Sequence, residues 1–458
     1  MSTLSELSAA ADPRFRPLLE SFLARFPGDP GRPAFAFSVP GRLEVLGKHT
    51  DYAGGHSLLA SLDRGFLAVA CPNDRRTVRM AEDRDEFPAV EFPLRPDLAP
   101  RVGDWANYPM TMAARLAANF AAEAPLRGVD VAFCADLPVG SGMSGSSALM
   151  MMSFLAVASA SGLCARERFR RDIHDGVDLA MYLACAENGQ TFRGLPGGKG
   201  VGTFGGSEDH TEILNGRSGA LSLYQFAPTV HKADFTFPSA WRFVVAFSGV
   251  RAEKTREALE RYNLASRRAR LAVEAHNAER GSGCSLLRDL ADLGDGTPSA
   301  AWKRGIRGAL GGTEPRLALA DRALQFSLED RRHVPGAIQA LLRRDIGEFG
   351  AILSASHRDS KRFLWNIVPQ VDFLAGAALD LGAAGASGFG AGFGGSVYAL
   401  TSREAADAFL PRWRDAYAAR YPAEAAGADF FLADPSDGIR DWSSGVPRRW
   451  VDTVDWRA

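Results

Sequence analysis

Cysteine is scarce in this chain of 458 residues, with five, at Cys71, Cys134, Cys164, Cys185 and Cys284 and no CxxC pair. Neither a disulfide framework nor a cysteine-based zinc site is expected, and reduced thiols are the default. An excess of one charge sign is also lacking: 53 Lys+Arg stand against 54 Asp+Glu, a formal net charge of -1. No global basic field exists to hold nucleic acid or an anionic membrane, although a local basic pocket is compatible with this balance. The longest apolar run, Ala148 to Leu163, is broken by Ser153, Ser159 and Ser161, short of the about 20 apolar residues of a membrane span. The N-terminus, MSTLSELSAAADPRF, lacks a cationic start followed by an apolar block, so no signal peptide and a cytoplasmic location are expected. What is present is an ordinary globular mixture, 46% hydrophobic and 23% charged, which rules out wholesale disorder. The length favours more than one domain.

Strand-like segments broken by glycine fill the first half: Ala34 to Val39, Phe66 to Ala70, and Val129 to Ala135. The last runs through a glycine and serine cluster into the apolar stretch, which reads as strand, tight loop and buried helix. Arg166 to Ala186 reads as one amphipathic helix, and Gln190 to Gly206 as a glycine-rich loop. Thr211 to Leu214, Ala220 to Tyr224 and Trp241 to Ser248 read as strands, and a second lobe is expected to start near Pro238. Glu253 to Arg280 and several segments of Arg316 to Gly382 read as helices; a glycine-rich turn, Gly385 to Gly395, then feeds a strand, Ser396 to Leu400. Strands and helices mix without steady βαβ alternation, so the expected class is α+β in two lobes, residues 1–237 and 238–458.

Four segments carry polar chemistry. The first glycine cluster, Pro138 to Ser147, contains GxGxxG at Gly140, Gly142 and Gly145. A dinucleotide site would need a second strand ending in an acid roughly 20 residues on, where the chain has the charged helical stretch Ala165 to Arg171. No Lys-Ser/Thr follows the glycines, so this is not a Walker A loop. Backbone amides freed by glycine and a helix N-terminus still suit phosphate. Ser144, Ser146 and Ser147 could donate to it or hold magnesium, or simply cap a helix. The second GxGxxG, at Gly390, Gly392 and Gly395, leads into a strand and suits close backbone approach to a loop or ligand. A third segment, Pro40 to Gly55, places Arg42, Glu44, Lys48, His49 and Asp51 in what reads as a polar loop, either a surface turn or a site for a hydroxyl-rich ligand. In the fourth, Gly205 to His210, Asp209 reads as a general base or a helix cap.

Together these segments resemble the GHMP small-molecule kinase family, and galactokinases in particular. Pro40 to Gly55 resembles the galactokinase signature PGRxNxIGEHTDYxGG, Pro138 to Leu149 is similar to PxGxGLSSSAAL, and Gly385 to Gly395 resembles GARMTGAGFGG. Trp105-Ala-Asn107-Tyr108, Ser356-His357 and Asp434-Pro-Ser-Asp437-Gly438 agree, so the similarity runs from about residue 35 to residue 440. The resemblance implies a two-lobed α+β GHMP kinase architecture with ATP between the lobes and Mg2+ as cofactor, making a sugar 1-phosphate. It implies Arg42 beside sugar and γ-phosphate and Asp209 as catalytic acid residue of an MDQ-like motif in which His210 replaces Gln. It implies sugar contacts from Lys48, His49, Asp51 and Gly206. Trp105, Pro138, Gly140, Ser141, Gly142, Met143, Ser144, Gly145 and Ser146 would bind the nucleotide, with Ser146 and Glu187 as metal ligands.

Three departures stand out. Lys48 replaces the Glu that in galactokinases contacts the C6 hydroxyl, which raises a uronic acid such as galacturonate as a candidate substrate, unless Lys48 pairs with a neighbouring acid such as Glu44. Gly145 and Ser147 stand where Ser and Ala are usual. Gln190 to Gly205 lengthens the link to the catalytic Asp, with Glu208 as the runner-up to Asp209. Some galactokinase relatives are non-catalytic sugar and ATP sensors that bind a regulator; the presence of Arg42, Ser146, Glu187 and Asp209 favours the enzyme. Expected partners are a small-molecule sugar and ATP, with no nucleic acid or membrane, in a monomer or homodimer. Trp442, Trp450 and Trp456 would dock on the chain itself or between subunits.

Overall fold

The computed structural model describes residues 2–10, 12–84, 86–99, 101, 103–252, 256–290 and 316–456. Strands β1 (Phe35–Leu46), β2 (His56–Asn73), β3 (Thr77–Glu82), β4 (Val90–Pro93), β5 (Gly128–Ala135), β6 (Ala220–Gln225) and β7 (Val230–Thr236) build most of a first sheet. A second sheet consists of β8 (Trp241–Phe247), β9 (Gly385–Phe389), β10 (Ser396–Ser402) and β11 (Asp429–Ala433). Two short strands near the C-terminus, β12 (Arg440–Asp441) and β13 (Arg448–Arg449), return to the first sheet. Its order is β13-β12-β1-β2-β5-β3-β4, with β6 on the far end of β2 and β7 beyond; the second runs β11-β8-β10-β9. Only β3 and β5 pair in parallel among the described strands. The mixed layers are the α+β arrangement expected from the sequence.

β1 and β2 form the spine. β1 is buried along nearly its whole length, as a strand covered on both faces should be. One face of the first sheet carries α3 (Asn107–Phe120), α4 (Gly145–Ser161) and α6 (Gly176–Asn188). α4 is apolar on nearly all sides, which only a helix enclosed in a core tolerates. The other face is covered by α2 (Arg16–Arg25) through Leu18, Leu19 and Phe22. The lobes share a core in which Leu43, Val45 and Leu58 of the first sheet meet Phe243, Val245 and Tyr398 of the second. Tyr398 Oη donates to the Val45 carbonyl at 2.5 Å, fixing one lobe to the strand that carries the site of the other.

Several sequence expectations change here. Thr211 to Leu214 is not a strand but part of helix α7 (Glu208–Asn215), whose face presents Ile213 and Leu214 to the core. The single helix expected over Arg166 to Ala186 is two, α5 (Glu167–Asp172) and α6, because Asp175 caps the second by accepting from Val177 and Asp178 amides. Gly385 to Gly395 begins as strand β9 and turns only at Gly390. Pro40 to Leu46 belongs to β1, so only Gly47 to Gly55 is a loop. The second sheet starts with β8 at Trp241, while Arg440, Asp441, Trp450 and Val451 pair or pack with the first sheet and its helices. Trp442 lies 5.6 Å from Phe15 and Trp450 lies 6.0 Å from Phe154, while Trp456 Nε1 donates to the Val451 carbonyl, so all three rings dock on their own chain. Of the long charged helix expected from Glu253, Arg256–Arg280 is helical, and 253–255 lie outside the described residues.

Candidate active site

A cleft of about 610 Å³ opens between the lobes, and the segments singled out in the sequence converge on it. Its roof is the turn Pro138 to Ser144 and the first turn of α4. Gly140, Gly142 and Ser144 all adopt positive φ, +69°, +76° and +64°, a region costly for residues with a Cβ. Ser144 therefore stands at the helix start without capping it, its Oγ buried and lacking a protein partner. A free hydroxyl and uncapped amides at the N-terminus of a long helix suit phosphate oxygens. The second glycine turn braces this loop: a Cβ on Gly390 would lie 2.5 Å from the Gly142 carbonyl oxygen, and Ser396 Oγ donates to the Ser141 carbonyl at 2.7 Å. Pro138, Gly140, Ser141, Gly142, Ser144, Gly145 and Ser146 line the cleft. Met143 does not; it is fully buried beneath the loop, and its carbonyl accepts from the Arg42 amide at 3.2 Å. Its side chain thus offers nothing to a nucleotide, and its carbonyl ties the loop to β1.

At the base of the cleft Arg42, only 5% exposed, points from β1 to the first turn of α7. Its Nε and Nη2 donate to Asp209 Oδ1 at 2.9 and 2.5 Å, and Nη2 lies 3.1 Å from Glu208 Oε1. Burial would raise the Asp209 pKa, but the Arg42 charge and hydrogen bonds outweigh it and hold the carboxyl below its usual range. About 32% of the Asp209 side chain stays exposed to the cleft. Glu208 points inward and accepts from Ser57 Oγ at 2.7 Å, and burial pushes its pKa well up. Asp209 is far more open to the cleft than its runner-up, which is 4% exposed.

The loop after β1 supplies the neighbouring wall. His49 has a φ of +58°; its Nδ1 and the Tyr52 hydroxyl are 2.7 Å apart and its Nε2 is 3.2 Å from the Ala391 carbonyl. Burial, aided by the Arg322 charge, lowers its pKa to about 3, so the ring is neutral. Asp51 accepts from the Tyr52 amide at 2.8 Å, and burial raises its pKa. Gly206 is required at the next turn, because a Cβ there would lie 2.3 Å from Asp51 Oδ2. His49, Asp51 and Gly206 all line the cleft.

Lys48 does not. It is 2% exposed and donates from Nζ to Ser356 Oγ at 3.0 Å, and Ser356 donates in turn to Glu329. The same Glu329 carboxylate accepts the Gly47 amide at 2.8 Å and the Lys48 amide at 3.3 Å. The cation is enclosed beneath the loop, so the expected sugar contact of Lys48 is corrected to a buried anchor. The alternative pairing with a neighbouring acid such as Glu44 is not what holds the ammonium either: its partner is the Ser356 hydroxyl, which in turn donates to Glu329.

Trp105 stands at the outer end of the cleft between Phe87 and Phe133, with ring centroids 5.9 and 5.6 Å away, and its buried Nε1 has no protein partner. An aromatic slot with one free donor fits a planar base. Ser146 and Glu187 both line the cleft; Glu187 Oε2 accepts from Ser147 Oγ at 2.9 Å and lies 3.0 Å from His210 Nε2. A carboxylate and a hydroxyl beside a phosphate loop fit magnesium, which takes few protein ligands and fills its shell from phosphates and water. The sequence reading missed Glu208 as a buried group, Arg322, which donates to the His49 carbonyl at 2.5 Å, and Glu329. Arg322 and Glu329 sit in helical stretches with no motif around them, so only three-dimensional proximity discloses them.

Comparison with known proteins agrees with this geometry. Residues 20–72 match the galactokinase galactose-binding signature and residues 337–419 match the model for GHMP kinases C terminal. The chain is similar to a galactokinase of Mycobacterium bovis (strain BCG / Pasteur 1173P2), 30% identical over 377 residues that cover 81% of this chain and 90% of that one. It is 27% identical to a galactokinase of Enterococcus faecalis over 418 residues, 88% of this chain and 94% of the other. Among solved structures, a Lactococcus lactis galactokinase complexed with galactose superposes with a TM-score of 0.74 at 21% identity, covering 92% of this chain and 97% of that one. A mevalonate kinase shares the fold more distantly, with a TM-score of 0.52. A relative 30% identical over 81% of this chain and 90% of its own length shows the family: the chain belongs to the galactokinase family of GHMP kinases.

Proposed function

We propose that this chain is an ATP-dependent sugar 1-kinase that transfers the γ-phosphoryl group of ATP to the anomeric hydroxyl of galactose. One observation carries the reading: the Arg42–Asp209 pair lies where the phosphate loop and the His49–Asp51 loop meet. Phosphoryl transfer is mostly positioning and charge neutralisation. His49, Asp51 and the Gly206 turn orient the sugar, and the amides of Gly140 to Ser146 hold the phosphate tail. Arg42 faces the charge that develops on the transferring group. Asp209, kept ionised by Arg42, accepts the anomeric proton as the new oxygen–phosphorus bond forms and the bridging oxygen leaves with ADP. A carboxyl of lowered pKa is a weak base, so it takes the proton late, once bonding to phosphorus has acidified the hydroxyl. Ser146 and Glu187 would hold Mg2+, which when bound neutralises phosphate charge.

The acceptor is proposed as a neutral sugar. Arg42 is the one Lys or Arg side chain among the residues lining the cleft, and its Nε–Nη2 edge is taken by Asp209, while Lys48 is occupied elsewhere. A carboxylate at C6 would find no open cation to pair with. ADP release tested with galactose, galacturonate, glucose and mevalonate decides the matter. Galactose should be preferred, and Asp209→Ala should abolish turnover while ATP still binds. Preference for galacturonate overturns the acceptor, and sugar and ATP binding without turnover in the wild type would instead describe a sensor.

A further inference from the structure

Three carboxyl groups surround the one guanidinium at the base of the cleft. Asp209 faces the substrate. The other two, Glu44 and Glu208, are 3% and 4% exposed and approach Arg42 from behind, with Glu44 Oε2 3.9 Å from Nη1 and Glu208 Oε1 3.1 Å from Nη2. Two carboxyl groups buried against one guanidinium that already serves Asp209 cannot both be ionised without leaving an uncompensated buried anion, so one of them carries a proton. Glu44 Oε1 is buried with no hydrogen-bond partner and Glu208 Oε1 meets only the Arg42 ion pair, a shortage of donors that a shared proton would satisfy. In the signature that Pro40 to Gly55 resembles, the position of Glu44 reads Asn, and in the MDQ motif the position of Glu208 reads Met. The acid pair is therefore a feature of this chain and not of the motif.

We propose that Glu44 and Glu208 are positioning residues that share one proton and clamp the rear of the Arg42 guanidinium, so that its Nε–Nη2 edge is presented to Asp209. The clamp works only while the proton is held. With both groups ionised, three anions would surround one cation, drawing Arg42 away from the phosphoryl group and repelling the γ-phosphate. The charged and titratable groups facing the pair are Arg42, Lys48, Asp51, Asp209 and Glu329. Burial is the largest influence on both, raising Glu44 to about 7 and Glu208 well above its usual value. Both are raised above their unfolded-state range, so their contribution to stability is present at acid pH and lost as pH rises through neutrality.

The inference rests on the kinase reading, but its test has a readout that does not. Wild type, Glu44→Gln, Glu208→Gln and the double variant are compared for thermal midpoint from pH 5 to 9 and for the pH dependence of kcat with the preferred sugar. The wild type should lose both stability and kcat on the alkaline side. In the double variant, which has no proton there to lose, both alkaline falls should flatten, with kcat near pH 6 within about tenfold of wild type. Glu208→Ala, which removes the clamp itself, should lower kcat about 100-fold with KM little changed. Thermal midpoints that run parallel with pH in wild type and double variant overturn the pair whether or not any sugar is turned over. A wild type without turnover, whose alkaline loss of thermal midpoint is nevertheless flattened in the double variant, would remove the kinase reading and leave the pair standing.

Discussion

Arg42 and Lys48 lie six residues apart, are both almost completely buried, and both end in oxygen partners, yet they do opposite jobs. Arg42 leaves β1 with one edge against Asp209 at the cleft surface and its back against Glu208 and Glu44. Lys48, beyond the end of the strand, turns under the loop to Ser356, with Glu329 tying down the loop amides around it. Burial alone does not mark a cation as functional. What distinguishes the two is whether the partner has a face on the cleft: Asp209 keeps about a third of its side chain exposed, whereas Glu329 is 1% exposed.

The strongest test of that contrast is on the cleft side. Asp209→Ala should lower kcat by about 10³-fold or more while leaving the thermal midpoint within a few degrees, measured by ADP release and calorimetry. Gly206→Ala is next: its Cβ would lie 2.3 Å from Asp51 Oδ2, so the sugar wall must shift and KM for sugar should rise about 10- to 100-fold with KM for ATP near wild type. On the enclosed side the signs reverse. Lys48→Met should cost about 3 kcal/mol of stability in denaturant unfolding but change kcat/KM of the folded enzyme by less than about threefold; a large rise in KM for sugar alone would return Lys48 to the substrate. The smallest effect concerns Glu212, one helical turn beyond Glu208, where burial lifts the carboxyl to about 8. Its folded value exceeds the unfolded one, so the stability it supplies is lost as pH rises from about 4.5 towards 8. Glu212→Gln should raise the thermal midpoint by a few degrees at pH 8 and leave it unchanged at pH 5.

Much of the cleft was legible because its parts are local. Glycines at Gly140 and Gly142 announce a turn no other residue adopts cheaply, and His49, Asp51 and Asp209 sit in short motifs. Helix α7 was misread as a strand since Thr211, Ile213 and Leu214 look like β residues, while the packing of their face on α6 and β1 decides for helix. Lys48 was misplaced for a related reason. A signature states which residue occupies a position but not which way the side chain leaves the backbone, and its destination, Ser356, lies about 300 residues away. The C-terminal return was likewise invisible, because the two-residue strands β12 and β13 carry no pattern and exist through pairing with β1.

That return has a consequence for how the molecule comes into being. The strand bearing Arg42 gains its outer neighbour from Arg440 and Asp441, which pair with Ser38 and Phe37, so a growing polypeptide that has already delivered every wall of the cleft still has an open edge on that strand. Synthesis must run past Asp441 before that edge is closed. Deleting residues 440 and 441 should therefore weaken the molecule from a distance, because it strips a neighbour from the strand that carries Arg42.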